Sequence, residues 1–310
     1  GIVMALKIII DTDPGIDDAM AIFYAGLSDE LNLIAMTSVF GNVTAEIATR
    51  NALVLGDILK QDIPVAQGAK VPLMQKPNPV SDYVHGAEGF GDIPAQTTAR
   101  RAVEMPAHEY LCQLINENAG DVILCPVGPL TNIALALRHD PFIVSKVKSI
   151  VIMGGGLHSG GNVTDFAEAN IWNDPHAADE VFAADWDVTV IGLDVTQQVV
   201  CPHSDFAALT KTVPVIGSFL SQATDFYIKF YKEAIGIDGC QMHDPITVVA
   251  CHRPDLFKYE YHPLEVCLHS GRIGETRISA DSQRRPAKIA VGVDVAAVKE
   301  IFFDTIKTGY

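Results

Sequence analysis

Apolar runs and polar breaks alternate along the chain with a regular rhythm. "LKIII" at 6–10 reads as a buried strand, and an amphipathic helix follows over 18–27. "LNLIAMTSV" at 31–39 predicts a second strand, 45–60 a long helix, and "IPVAQG" at 63–68 a third strand. Three more apolar runs, 121–128, 149–156 and 187–194, end in glycine or aspartate. This βαβ alternation predicts an α/β fold: an open, mostly parallel (mixed) Rossmann-like sheet flanked by helices. The last fifty residues predict strands in "PLEVCLHSG", "GETRISA" and "AKIAVGVD" and a final helix from Val295. The segment 69–105 breaks the rhythm with prolines and glycines, and a loop of this length in a folded chain points to function or disorder. The expectation is a single domain over 1–310, with 69–105 as a long active-site loop.

In sheets of this kind, ligands bind beyond the carboxyl ends of the strands. Polar residues gather at those ends here. The first strand runs into "DTDPGIDDA", placing Asp11, Asp13, Asp17 and Asp18 within eight positions. Two carboxylates about 4 Å apart at an effective dielectric of ~20 repel by roughly 4 kcal/mol. A helix N-terminus returns only ~0.3–1 kcal/mol for each. Capping explains one or two aspartates, not four; a hard cation, bound protons or exposure to water must account for the rest. No His/Cys set with zinc spacing accompanies them. Other strand ends supply Asn42, the turn "VGPLTN", the stretch "GNVTDFAEAN" with Asn162, Glu168 and Asn170, and His243-Asp244 ahead of Pro245. Singly, each has an ordinary explanation as a turn or cap residue. Their recurrence at one edge of one sheet points to a site.

Charge and composition narrow the partners. A net charge of −16 over 310 residues disfavours nucleic acid and anionic membranes. No apolar run approaches the ~20 residues that span a bilayer. "GIVMALK" lacks the basic and apolar regions of a signal peptide, and residues 1–3 read as an appended remnant ahead of Met4. The six cysteines are scattered without C-x-x-C spacing, which predicts reduced core thiols and a cytoplasmic location.

The ordered set "DTDPGIDDA", "FGN", "VHGAEG", "GPLTNIA", "VIMGGG", "AEAN…DPHAA" and "MHDP" resembles the calcium-dependent nucleoside hydrolases from Ile8 to about Cys251. The resemblance implies a ribonucleoside hydrolase that cleaves the N-glycosidic bond by attack of water at C1′. It implies one Ca²⁺ held by Asp13, Asp18, Asp244 and the carbonyl of Val127, with Asp13 also the general base and Asp11 behind it. Asp17 and Asn42 match contacts to the ribose hydroxyls. Asn162 and Glu168 match contacts near the 5′-hydroxyl, Asn170 one near the 3′-hydroxyl, and His85 lies in the loop over the base. His243 is the candidate acid for the departing base. Tyr227 and Tyr231, four apart in "DFYIKFYKE", are placed to face the base together or to pack in the core. The resemblance also implies a homotetramer or homodimer.

Two departures bear on the substrate. The loop reads "HGAEGFG" where His-Gly-Glu-Ser-Gly is expected, and Ala169 stands where an aromatic commonly precedes the asparagine. His243, together with the absence of a tryptophan at an obvious base-binding position, favours a pyrimidine-preferring or broad specificity; a purine-preferring hydrolase is the alternative. Two other classes fit less well. A haloacid-dehalogenase-like phosphatase shares the strand and Asp-x-Asp opening but not Pro14-Gly15 after it. A non-catalytic Ca²⁺-dependent nucleoside or sugar binder would not need the full catalytic set.

Overall fold

The computed structural model describes residues 4–269 and 271–310; the remnant expected at 1–3 lies outside the described residues. Among the described residues twelve strands form in chain order: β1 Leu6–Thr12, β2 Leu31–Ser38, β3 Val65–Gln67, β4 Val122–Pro126, β5 Ser149–Met153, β6 Val188–Ile191, β7 Val200–Cys201, β8 Cys240–Gln241, β9 Phe257–His262, β10 Leu264–Val266, β11 Thr276–Ile278 and β12 Ala287–Val293. Eight of them make the central sheet in the order β3-β2-β1-β4-β5-β6-β12-β9. The pairings are parallel except β12 with β9.

Alternation in β1 accounts for a sheet covered on both faces. Ile8 and Ile10 enter one apolar cluster with Phe23, Ile246 and Val249, while Ile9 enters the other with Leu124, Ile133 and Ile150. Each fully buried isoleucine contributes roughly 1.5–3 kcal/mol relative to exposure. The order 3-2-1-4-5-6 has a consequence for function. The chain leaves β1 toward one edge and β4 toward the other, so a crevice opens at their carboxyl ends. Asp13 follows β1 there and Val127 follows β4.

Several boundaries differ from the sequence-based expectation. The first helix begins at Ile16, two residues before 18, so Asp17 and Asp18 lie inside its first turn. The helix expected over 45–60 is Ala45–Ile58, and Lys60 turns left-handed at φ 57°. The run 187–194 divides at Gly192 into β6 and a short helix, Leu193–Thr196. Edge strand β9 and the small β7–β8 sheet are additions to the expected pattern: β9 is "FKYEYH", whose polar and aromatic mixture carries no apolar run. The segment 69–105 has no strand and one helix, Asp82–His85.

Candidate functional site

The register of β1 against its neighbours builds the floor of the crevice. Asp11 pairs with Thr37 on β2, and the Thr37 hydroxyl donates to Asp11 Oδ2 at 2.6 Å. Asn132, at the start of the helix Thr131–His139, donates to the same oxygen at 2.7 Å and to the Ser38 carbonyl at 2.9 Å. Burial outweighs both hydrogen bonds and pushes the Asp11 carboxyl up to about 7. Asp11 thus ties β1 to β2 and to the helix Thr131–His139.

Asp13 is boxed by two glycines. A Cβ on Gly41 would stand 2.2 Å from its Oδ2, and one on Gly128 would stand 2.9 Å from its Oδ1. Oδ2 accepts the Asn42 N–H at 2.8 Å. Asp18 accepts from the Thr12 hydroxyl (2.6 Å) and from Asn42 Nδ2 (3.1 Å). Asp17 Oδ2 accepts the N–H of Asp244, which lies in the first turn of the helix His243–His252, at 2.8 Å. These four carboxyls, Asp13, Asp17, Asp18 and Asp244, are buried and raised. Burial is the largest cause, and like charge from neighbouring aspartates adds to it for Asp13, Asp17 and Asp244. Asp11 Oδ1, Asp13 Oδ1 and Asp17 Oδ1 are buried without a hydrogen-bond partner. Such oxygens are costly unless protonated or bound to a cation.

Asp17, Asp18, Asn42, His85, Val127, Asn162, Glu168, Asn170, Tyr227, Tyr231, His243 and Asp244 line one pocket. Asp11 and Asp13 do not line it: Asp13 joins the lining through the Asn42 N–H, and Asp11 is held by Thr37 and Asn132. Some have duties the sequence did not reveal. Glu168 caps the helix Ala169–Asn173, accepting from the N–H groups of Gly155, Asn170 and Ile171 at 2.9–3.2 Å. Burial holds its carboxyl up at about 7 despite these bonds. Asn170 Nδ2 donates to the carbonyls of Val127 and Met153, each at 3.1 Å, leaving its Oδ1 for a ligand. Asn162 Oδ1 accepts the Ala169 N–H at 3.0 Å.

The opposite wall is aromatic. Tyr227 and Tyr231 share a helix face, with hydroxyls 3.3 Å apart, and Tyr231 reaches His243 Nε2 at 3.0 Å. The other His243 nitrogen meets the Thr196 hydroxyl at 2.7 Å. Burial lowers His243 to about 4, so its imidazole is neutral at pH 7. His85 Nδ1 accepts the Ile16 N–H at 3.0 Å, which fixes the proton on Nε2, and its ring stacks on Tyr227 at 5.1 Å. Sequence reasoning missed Tyr83, Phe230 and Thr196. Tyr83 and Phe230 line the pocket and meet edge-on at 5.9 Å. Their signal was present in "DYVH" and "FYKE", beside residues already singled out. Trp186 is buried in the core, and neither tryptophan lines the pocket. The aromatic side chains of the pocket are tyrosines and a phenylalanine.

Comparison with known proteins agrees with this geometry. The family model described as inosine-uridine preferring nucleoside hydrolase matches residues 8–300. Uridine nucleosidase 1 of Arabidopsis thaliana is 40% identical over 305 residues, covering 95% of this chain and 91% of that protein. A solved plant nucleoside hydrolase superposes with a TM-score of 0.95 at 37% identity, over 98% of this chain and all of that one. A purine-preferring ribonucleoside hydrolase from Gardnerella vaginalis superposes with a TM-score of 0.93 at 35% identity, over 97% and 98% of the two chains. With its aspartate-lined crevice at the sheet's switch point, the chain belongs to the inosine-uridine preferring nucleoside hydrolase family, enzymes that hydrolyse the N-glycosidic bond of ribonucleosides.

Proposed function

We propose that this pocket cleaves ribonucleosides with the help of one hard divalent cation, Ca²⁺. The observation that carries the reading is the set of buried, unpartnered carboxylate oxygens around Asp13 and Asp17. The donors are oxygens, and the nearby imidazoles are engaged: both His243 nitrogens and His85 Nδ1 already have partners. That chemistry fits a hard ion rather than zinc. Asp13, Asp18, Asp244 and the Val127 carbonyl would hold it. An ion held there would supply positive charge that lowers the pKa of a bound water.

The chain's own groups carry the remaining steps. Asp13 takes the proton from the attacking water, its orientation fixed by Gly41, Gly128 and the Asn42 N–H. Asp17 and Asn42 receive the ribose hydroxyls, with Asn170 beside the 3′ side and Asn162 and Glu168 beside the 5′ side. Positive charge developing on the ribose ring is stabilised by the surrounding carboxylates and amide oxygens. Attack from one face inverts C1′. His243, held between Thr196 and Tyr231 and neutral at rest, would take up a proton and pass it to the departing base through the Tyr231 hydroxyl that its Nε2 meets at 3.0 Å.

Pyrimidine or broad preference is supported by the Arabidopsis relative, a uridine nucleosidase. Purine preference is the second reading, supported by the Gardnerella neighbour and by the Tyr83–Phe230 rim, which offers stacking area to a larger base. We further infer one functional domain, because the sheet joins β1 to β12 and so draws strands from both ends of the chain. A cytoplasmic, homo-oligomeric enzyme fits the six free cysteines and exposed apolar residues such as Met74, Phe142 and Val215. No helix among the described residues is long and apolar enough to cross a membrane. The test is ribose release from uridine, cytidine, inosine and adenosine, with and without a calcium chelator. Release that stops on chelation and returns with Ca²⁺ is expected. Release that persists in the metal-free enzyme would overturn the cation's role.

A further inference from the structure

A second cluster of metal-type side chains lies away from the pocket. His108 and Glu109 stand in the first turn of the helix Ala107–Glu117, and His139 is the last residue of the helix Thr131–His139. One potential ligand atom from each lies within 4.8 Å of the other two. The two imidazole rings are 5.6 Å apart and nearly perpendicular. None of the three lines the nucleoside pocket. Asn132, which touches Asp11, is seven residues before His139 on the same helix, a separation of about 10 Å at 1.5 Å per residue.

The helices that carry the cluster are held rigidly. Leu111, Cys112 and Ile115 pack with Ile133, Ala134 and Ala136 in one buried cluster, and Cys112 Sγ donates to the Ala136 carbonyl at 3.4 Å. The three ligating groups stand at the rim of this packing, and Glu109 and His139 face a surface cleft. Glu109 forms no ion pair with Lys or Arg among the described residues. The positive end of the first helix disfavours a cation there, but the negative end of the second favours one, so the two helix dipoles largely offset. A tetrahedral ion with nitrogen ligands near 2.0–2.1 Å needs them roughly 3.3 Å apart. The ligand atoms now lie within 4.8 Å of one another, and His139 is exposed, so its ring is the one with room to turn toward the other two.

We propose that His108, Glu109 and His139 form a surface site for a borderline transition-metal ion such as Zn²⁺, completed by water. Two imidazoles and one carboxylate suit Zn²⁺ and its neighbours in the transition series; they are too few oxygens for Ca²⁺. The ion would staple the start of one helix, where the chain emerges from the 69–105 segment, to the end of the next. It is structural, and it stands independently of the chemistry assigned to the pocket.

The test is calorimetric titration of Zn²⁺ into the full chain saturated with Ca²⁺, with thermal melting and with Co²⁺ absorption as a signature of coordination. One Zn²⁺ per chain and a higher Tm are expected. His108→Ala and His139→Ala should each weaken that event by about tenfold or more, while Ca²⁺-supported nucleoside hydrolysis continues. His139→Gln, at an exposed position, guards against misfolding of the alanine variants. His158→Ala is the control, since His158 lies 2.7 Å from Glu260 at a separate surface site. Absence of Zn²⁺ binding, unchanged binding in the His108 and His139 variants, or its loss in the His158 variant would overturn the proposal.

Discussion

Replacing Asp13 by asparagine should move stability and activity in opposite directions. The side chain is confined by Gly41 and Gly128, so an isosteric change is the one that leaves the box intact. Burial and the charge of Asp18 hold the Asp13 carboxyl well above the ordinary aspartate range, so the metal-free fold carries it at a cost. Its Oδ1 is buried without a partner, which costs about 1–3 kcal/mol and more when the group is charged. Asparagine removes the charge. It must place its new N–H₂ against a neighbouring acceptor, for which Asp18 is adjacent, and imperfect placement returns about 1 kcal/mol of the gain. The net gain is at most about 2 kcal/mol, or up to about 3 °C in Tm for a chain of this size at ~2.1 cal/mol/K per residue. Excess Ca²⁺ should reverse the order, because the wild type gains about 2.7 kcal/mol at one hundred times its Kd and the variant gains less. Loss of the base should lower kcat by about 10²–10⁴. Melting curves in chelator and in Ca²⁺, beside ribose release, read all three effects. A variant that melts below wild type in chelator, or that retains wild-type turnover, refutes the reasoning.

Three further outcomes follow from the same geometry. His243→Ala should slow inosine hydrolysis by about 10²–10⁴ but slow a nitrophenyl riboside much less, because that leaving group departs without a proton; equal losses in steady-state assays would remove His243 from the acid role. In chelator, Tm should fall as pH rises from about 6.5 to about 8. Asp11 and Glu168 have folded values of about 7, above their unfolded values, so their stabilisation is present at low pH and is lost as pH passes 7. Below about pH 6.5 the histidines act oppositely: His85 and His243, lowered to about 3 and about 4, lose stability as pH falls. A flat melting profile across the upper window in chelator would contradict the carboxyl assignments. Arg50→Ala removes a 2.8 Å bridge to Glu88 whose partners are 27% and 38% exposed, so the stability loss should stay at or below about 1 kcal/mol while KM rises; an unchanged KM would show that this bridge does not hold the loop over the substrate.

The strands of the site half were legible because they are short apolar runs ended by polar residues, and this is how a doubly covered parallel sheet is written. Edge strand β9 was not, because one side of an edge needs no apolar partner, and "FKYEYH" shows none. The aspartates were legible as a group, since capping could not account for four. Their separate duties were not: Asp11 is bound by Thr37 and Asn132, residues 26 and 121 positions away, and only the register of the sheet brings them together. Glu168 likewise reads as a ligand contact in sequence, yet it also caps a helix. Thr196 carried no signal at all, because its partner His243 lies 47 positions on.

The side chain of Asn132 has a wider consequence than its bond to Asp11. Its oxygen also accepts the Ala69 N–H at 2.9 Å, where the long 69–105 segment begins. Near the other end, Val103 N–H returns to the Val65 carbonyl at 2.9 Å. The segment is thus moored at both roots to the frame that holds the carboxylates, while the stretch between them reaches over the pocket through Ser81, Tyr83, Val84 and His85. One wall of the pocket is thus supplied by a segment tied at its roots to the frame of the carboxylates, and faces Tyr227, Phe230 and Tyr231 from the helix Pro214–Ile235. Substitutions between the moorings, at Tyr83 or Val84, are therefore expected to shift KM among nucleobases more than they shift kcat, whereas His85 is bound to Ile16 of the aspartate turn and is not exchangeable in the same way.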